Sequence, residues 1–378
     1  MKRKLKLLTV ILLFLLSAGL AAYLYVENIK DFSLETDQIV LTCVFGLLGI
    51  FINFFLHSLF HETGHVIFGK VSGFKLYKFS VGFISIVKTK KFFKFEFALS
   101  KYGGATFMVC RENKNLYRRY ALYVFGGLLG SFISLAGYLL TAVLLKYSNV
   151  NLLYLYTALI SGFPLSMYFL SLNAMPFSAG GVSTDGATLR GIIKKDRETQ
   201  VLINVLNIQS LLMAGFSPSE IDKDYFFNIP VVADNNINKI VLFSYRYAYS
   251  LDLLDFVSAA DVIRVLERMQ KYIPDIYKEN LLTDIFFNAA HKGDIEKAKE
   301  LYAKIEKTIN SETDINSLRI KMAYELYILN DYKKAIETGE SALKLKDSYF
   351  ISGIAKMEEK LINYMIGAAE KPVDTDCV

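Results

Sequence analysis

The 378-residue chain has no Trp, six Pro and three Cys. The shortage of cysteine removes two function classes at once. Cys43, Cys110 and Cys377 are odd in number, widely spaced and without a CxxC pair, so they make neither a disulfide framework nor a zinc ribbon. Charge is scarce as well: 21% of residues are Asp, Glu, Lys or Arg against 53% hydrophobic, and mean hydropathy is +0.31. That apolar content excludes disorder and collagen-like structure and points away from an ordinary soluble enzyme. Between residues 147 and 184 there is no charge at all.

The charges that are present divide unevenly. Residues 1–190 carry 19 Lys+Arg against 8 Asp+Glu, whereas residues 191–378 carry 24 against 29. In the first half the basic residues sit between long apolar runs rather than along one polar face. The expected partner is therefore a lipid bilayer and not nucleic acid.

Four runs are long enough to cross about 30 Å of hydrocarbon, which takes about 20 helical residues. They are Leu7–Val26, Ile39–Phe60, Tyr120–Leu145 and Leu152–Leu172. The first begins like a secretory signal, with Met1-Lys2-Arg3-Lys4 ahead of it and small residues at Ala18–Ala22. Its apolar stretch exceeds the usual length and three further spans follow, so an uncleaved anchor is expected. Lys70–Arg119 holds twelve Lys+Arg and two acidic residues, whereas Glu27–Asp37 holds four acidic residues and one Lys. The positive-inside bias puts the first of these segments in the cytoplasm and the second outside. The reading is a multi-pass cell-membrane protein with both termini cytoplasmic.

Within the basic segment, Phe93, Phe95, Phe97 and Leu99 alternate with Lys94, Glu96 and Ala98, which is the period of a strand. Val81–Val87 is rich in β-branched and aromatic residues, and Gly73, Gly82 and Gly103-Gly104 supply turns. A small sheet on the cytoplasmic leaflet is expected, with a membrane-surface loop as the alternative. An exposed edge at Phe93–Leu99 is a candidate clamp for an unwound substrate segment, since strand edges capture extended peptides through main-chain hydrogen bonds.

The chemistry-bearing motif is His61-Glu62-Thr63-Gly64-His65 near the end of the second run. Helix positions four apart share a face, so both imidazoles can reach one zinc ion at about 2.1 Å. Glu62 then flanks the ion as a general base for an attacking water. Two His and a Glu on a lipid-spanning helix are costly without such a use. His57 has the same four-residue spacing but lies about 40° further round for each step, which suits packing or support rather than ligation. Catalytic zinc takes a third protein ligand. Asp185, which ends the uncharged stretch just beyond the fourth run, is the candidate, with an N-cap for a helix starting near Ala187 as its alternative use.

His61-Glu62-x-x-His65, followed two spans later by Asn173-x-x-Pro176 and then Asp185-Gly186, resembles the site-2 protease family of intramembrane zinc metalloproteases. Gly126-Gly127-Leu128-Leu129-Gly130-Ser131 resembles the glycine-rich segment of that family's intervening helix, and Gly103-Gly104 its membrane-associated β region. The resemblance covers about residues 40–190. It implies that His61, His65 and Asp185 bind zinc, that Glu62 is the catalytic base and that Asn173 helps hold substrate or the oxyanion. The twelve positions from Asn173 to Asp185 exceed the commoner family spacing, and the Gly180-Gly181 pair is expected to loop the carboxylate back. Independently of the resemblance, Gly126, Gly127 and Gly130 are small enough to let the third span approach the second closely.

Beyond Arg190 the pattern becomes polar and amphipathic. Asp255–Ala259, Asp294–Ala298 and Asp331–Ala335 are similar segments whose alanines lie 39 and 37 residues apart, near helical-hairpin repeat lengths. The region weakly resembles a tetratricopeptide array, which implies peptide or protein binding; a plain bundle that stabilises the enzyme is the alternative. His291 is read as a helix-end residue. The expected whole is an α-helical polytopic membrane protein of about four spans with a small membrane-associated β region and a cytoplasmic all-α helical-repeat domain. Residues 1–190 form the zinc metalloprotease core and residues 191–378 the helical domain. Its substrate would be a membrane-inserted or membrane-associated peptide, cleaved to release a regulator or to mature a secreted peptide, and a cytoplasmic partner could dock on the C-terminal helices. The competing class is a catalytically idle peptide-binding scaffold, which has little use for Glu62.

Overall fold

The computed structural model describes residues 2–30, 34–88, 93–97, 104–110, 114–145, 150–179, 182–273, 275–311 and 313–370. Among these, four helical stretches are long and apolar enough to cross a membrane. They are Lys4–Ile29 of α1 (Lys2–Ile29), α2 (Thr36–Val71), α3 (Leu116–Leu145), and Leu152–Ala174, which is built from α4 (Val150–Ile160) and α5 (Gly162–Ala174). The chain is a multi-pass membrane protein. Outer-face residues such as Leu15, Phe51, Ile52 and Leu144 are exposed on these helices, as a lipid-facing surface requires.

Two features depart from uniform spans. First, α2 runs past Phe60 to Val71, so the His-Glu-x-x-His motif lies well inside the helix rather than at its end. Second, the fourth span breaks at Ser161. Pro164 lacks the N–H that would bond the Ile160 carbonyl, so the helical ladder cannot continue through this point. The break is supported by side chains: Ser161 Oγ and Asn53 Nδ2 donate to the Ala158 carbonyl at 2.8 and 2.7 Å.

Between α2 and α3 lies a four-stranded antiparallel sheet of β1 (Phe74–Val81), β2 (Ile84–Lys88), β3 (Phe93–Phe97) and β4 (Gly104–Cys110), in the order β3-β2-β1-β4. The Val81–Val87 run is thus a hairpin rather than one strand, because Gly82 takes a positive φ of 58° and Val81 pairs with Ile84. The order leaves β3 at an edge, as the clamp expectation requires, but far from Glu62. The strand beside Glu62 is β4; Leu99 and Gly103 lie outside the described residues.

After α5, β5 (Ser178–Ala179) and β6 (Val182–Ser183) form a small hairpin that leads into α6 (Asp185–Lys194). Next come α7 (Arg197–Ala214), the short α8 (Asp224–Phe227), and then α9 (Ile237–Asp252), α10 (Phe256–Met269), α11 (Asp275–His291), α12 (Ile295–Ser311), α13 (Ile315–Tyr327), α14 (Tyr332–Leu343) and α15 (Ser352–Glu370). The expected division at 190/191 falls inside α6. α7 packs both ways: Ile203 and Leu206 join Phe74, Cys110 and Leu116, while Val205 and Ile208 join Phe226 and Leu242.

The three Asp-to-Ala segments occupy equivalent turns. Leu254, Gly293 and Asn330 take φ of 57°, 77° and 54°, and the Asp that follows each one accepts a backbone N–H three residues on. Four residues after each Asp, the alanines at 259, 298 and 335 are fully buried. A left-handed residue, a capping Asp and a small inward residue are what a short helix–helix link requires. His291 ends α11, as expected, with its ring 3.8 Å from that of Phe256.

Candidate metal centre

The centre is built on α2, where four-residue spacing sets His57, His61 and His65 along one side. The third span comes close because it carries glycine at the crossing. A Cβ at Gly126 would collide with the Gly64 carbonyl, one at Gly130 with the Phe60 carbonyl, and one at Gly127 with the His65 imidazole. The first two confirm the expected close packing. Gly127 does more, since it leaves room for His65 itself.

Each histidine is oriented by α3. His65 Nδ1 donates to the Tyr123 carbonyl at 3.0 Å; a carbonyl can only accept, so the proton sits on Nδ1 and Nε2 presents its lone pair. His61 Nδ1 lies 2.9 Å from Ser131 Oγ, and the same hydroxyl lies 3.3 Å from His57 Nε2. His57 therefore supports His61 through Ser131 and stacks on Phe169, in keeping with a supporting role.

Asp185 reaches the histidines by a local device. The Phe177 carbonyl accepts from Thr184 N–H at 3.0 Å, and Thr184 Oγ1 donates to the Met175 carbonyl at 2.6 Å. The extra residues between Asn173 and Asp185 thereby fold out as the β5–β6 hairpin, whose tip, Gly180-Gly181, lies outside the described residues. Thr184, not Asp185, caps α6 by accepting from Ala187 N–H, which leaves the Asp185 carboxylate free to turn inward. Gly186 permits the close start of α6, because a Cβ there would strike the Ala174 carbonyl.

Asp185 Oδ2 lies 3.5 Å from both His61 Nε2 and His65 Nε2, and the two nitrogens are 3.2 Å apart. Donor atoms bound to a tetrahedral ion at about 2.1 Å stand about 3.4 Å from one another. Asp185 Oδ2 is buried and has no hydrogen-bond partner. A buried, unpaired carboxylate oxygen beside two imidazole nitrogens is the donor chemistry of a divalent cation site, and three such groups are placed to hold a metal.

Glu62, 7% exposed, lies beside this triangle with its carboxylate against Gly104 of β4. Asn173 lies in the last turn of α5 and lines the same cavity, which has a volume of about 1110 Å³. His291 does not line it. A family model for peptidase family M50 matches residues 49–366.

The chain belongs to peptidase family M50. It is a site-2-protease-like metallopeptidase of the membrane. The M50 match runs from α2 to near the end of α15 and so includes most of the helical region as well as the motifs. No curated protein and no solved structure matches the chain.

Apart from His57, the supporting residues of this M50 site were not foreseen from the sequence. Ser131 belongs to the glycine-rich segment read there as packing only, and Tyr123 acts through its carbonyl, which no side-chain pattern reveals. Lys6 of α1 is the least expected: its Nζ donates to the Pro176 carbonyl at 2.7 Å and lies 5.8 Å from the Phe177 ring centroid. The first span therefore touches the loop that delivers Asp185.

Proposed function

We propose that this M50 peptidase is an intramembrane zinc endopeptidase in which His61, His65 and Asp185 hold the ion and Glu62 is the general base. The observation that carries the reading is the near-equilateral arrangement of the three donor atoms around an unpaired, buried Asp185 Oδ2. When bound, zinc would act as a Lewis acid toward the scissile carbonyl and lower the pKa of the attacking water. Glu62, whose carboxylate stands on the cavity side of α2 beside β4, is placed to take a proton from an attacking water and return it to the departing amine. Asn173 offers an amide to the substrate carbonyl or to the charge that develops on it.

A peptide bond in a helix is shielded by its own hydrogen bonds, so the substrate must unwind near the site. Gly104 and Ala105 at the start of β4 line the cavity next to Glu62, and we propose that this strand steadies the unwound segment by main-chain contact. The substrate is a membrane-inserted or membrane-associated peptide. The charge asymmetry supports cytoplasmic termini, with residues 1–190 as the catalytic core and residues 191–378 as a cytoplasmic helical domain able to bind a peptide or protein.

The test is elemental analysis of detergent-purified protein. About one zinc per chain is expected in wild type and in Glu62→Ala, and loss of zinc in His61→Ala and Asp185→Ala. Folded wild type that takes up no zinc would refute the assignment.

A further inference from the structure

The cavity does not end at the membrane-embedded motifs. It continues along α6, where Ala187, Arg190, Gly191 and Lys194 line it at the i, i+3, i+4, i+7 spacing of a single helical face, and it reaches Asn236 at the start of α9. One end of the cavity thus reaches His61 and Glu62 of the proposed site and the other the charged helical region.

Arg190 and Lys194 have no ion-pair partner among the described residues. Two carboxylates line the same cavity, Asp196 and Glu198, but neither is ion-paired with Arg190 or Lys194 among the described residues. Asp196 caps α7 by accepting from Thr199 N–H at 2.9 Å, and Glu198 lies in the first turn of α7, where it complements the positive end of the helix dipole. Lys194 lies in the last turn of α6, where the helix C-terminus offsets part of its charge. Arg190, in mid-helix, has no such compensation.

Resting on the peptidase reading above, we propose that this basic stripe is a substrate subsite for a carboxylate two to four residues from the scissile bond. α6 starts at the proposed zinc ligand Asp185, so at 1.5 Å per residue Arg190 stands about 7.5 Å and Lys194 about 13.5 Å along the helix from it. An extended peptide advances about 3.3 Å per residue, which brings its second to fourth residue abreast of the two side chains. The planar guanidinium can hold a carboxylate by two parallel hydrogen bonds, and the ammonium adds a second charge further out. The carboxylate is supplied by an Asp or Glu side chain or by the free C-terminus of a short peptide. Membrane segments commonly carry Lys or Arg at their cytoplasmic flank, so an acidic flank would set the substrates of this enzyme apart.

The test measures binding of fluorescent model helices to the zinc-loaded, full-length Glu62→Gln variant in detergent. One apolar helix is made with an Asp-Asp, Asn-Asn or Lys-Lys flank, and the Asn-Asn form also with a free or amidated C-terminus placed at the flank. The Asp-Asp peptide is expected to bind about 5- to 10-fold more tightly than Asn-Asn, with the preference shrinking in high salt, as screening of an exposed pair requires. Adding Arg190→Gln and Lys194→Gln should abolish the preference without moving the unfolding temperature, and Arg190→Glu should invert it toward Lys-Lys. A free-terminus peptide that matches Asp-Asp identifies the chain end as the preferred source; an amidated peptide that binds equally well assigns the role to side chains. Equal binding of the three flanks, a preference for Lys-Lys in the unmodified stripe, or no binding at all would overturn the subsite. The zinc content of the same samples, with wild-type cleavage of the Asn-Asn helix, reports separately on the peptidase reading.

Discussion

Replacing Gly127 by Ala adds one methyl group at the point where α3 touches His65 of the proposed metal centre. The new Cβ would stand 2.8 Å from His65 Cδ2 and closer still to Cε1 and Nε2, whereas side-chain carbons do not approach other heavy atoms within 3.0 Å. The imidazole has little room to yield, because its Nδ1 is fixed by the Tyr123 carbonyl on the same helix. Clearing the methyl requires a retreat of about 1 Å by the ring or the helix, beyond the few tenths of an ångström that a metal ligand tolerates. The expected result is a 10- to 100-fold faster loss of zinc to a chelator and a destabilisation of about 1–3 kcal/mol. Gly137→Ala on the same helix is the control. Its Cβ meets nothing within 4 Å, and replacing a helical glycine there should be neutral or stabilising by about 0.5–1 kcal/mol. Chelator kinetics and thermal unfolding in detergent read both effects. A Gly127→Ala protein with wild-type zinc retention would refute the argument that this glycine exists to admit His65.

Lys6→Met removes the α1 side chain that donates to the Pro176 carbonyl, so zinc should dissociate faster by roughly 10-fold, with partial recovery in Lys6→Arg; equal rates in all three proteins would reduce the contact to packing. Gly293 has φ 77° and open space around its missing Cβ, so Gly293→Ala should cost about 1 kcal/mol of backbone strain, whereas Gly367→Ala in α15, equally unobstructed, should stabilise by about 0.5–1 kcal/mol; denaturant midpoints that move in the same direction would contradict this. In α11, burial pushes the Asp284 carboxyl up to about 7 against the pull of Arg319. Its folded pKa lies above the unfolded one, so the stability it contributes is present below about pH 4 and is lost as pH rises through about 7. Partial exposure trims the effect to about 2 kcal/mol, and Asp284→Asn should flatten the stability profile across that window.

Local chemistry explains which parts of this protein are readable along the chain. Long uncharged runs identify the four spans because crossing lipid demands them, and the separation of four between His61 and His65 is a property of any helix. Asp185 stood out because it ends an uncharged stretch, and the Asp-to-Ala segments because a cap and a small inward residue recur at each helical link. The remainder depended on distant residues meeting. Strand order is set by pairing across the sheet, so the alternation at Phe93–Phe97 marked a strand without showing that β4, through Gly104, is the one beside Glu62. The extra residues before Asp185 looked like added distance, and only the closure of Phe177 onto Thr184 brings the carboxylate back to the histidines. Ser131, the Tyr123 carbonyl and Lys6 carry no metal-binding signal of their own, because each acquires its role from what stands opposite it. Composition and periodicity thus marked a multi-pass membrane protein with a His-Glu-x-x-His helix, and the family match makes it a metallopeptidase. Tertiary packing alone decided how three donor atoms, drawn from two helices that lie more than a hundred residues apart in the chain, come within 3.5 Å of one another.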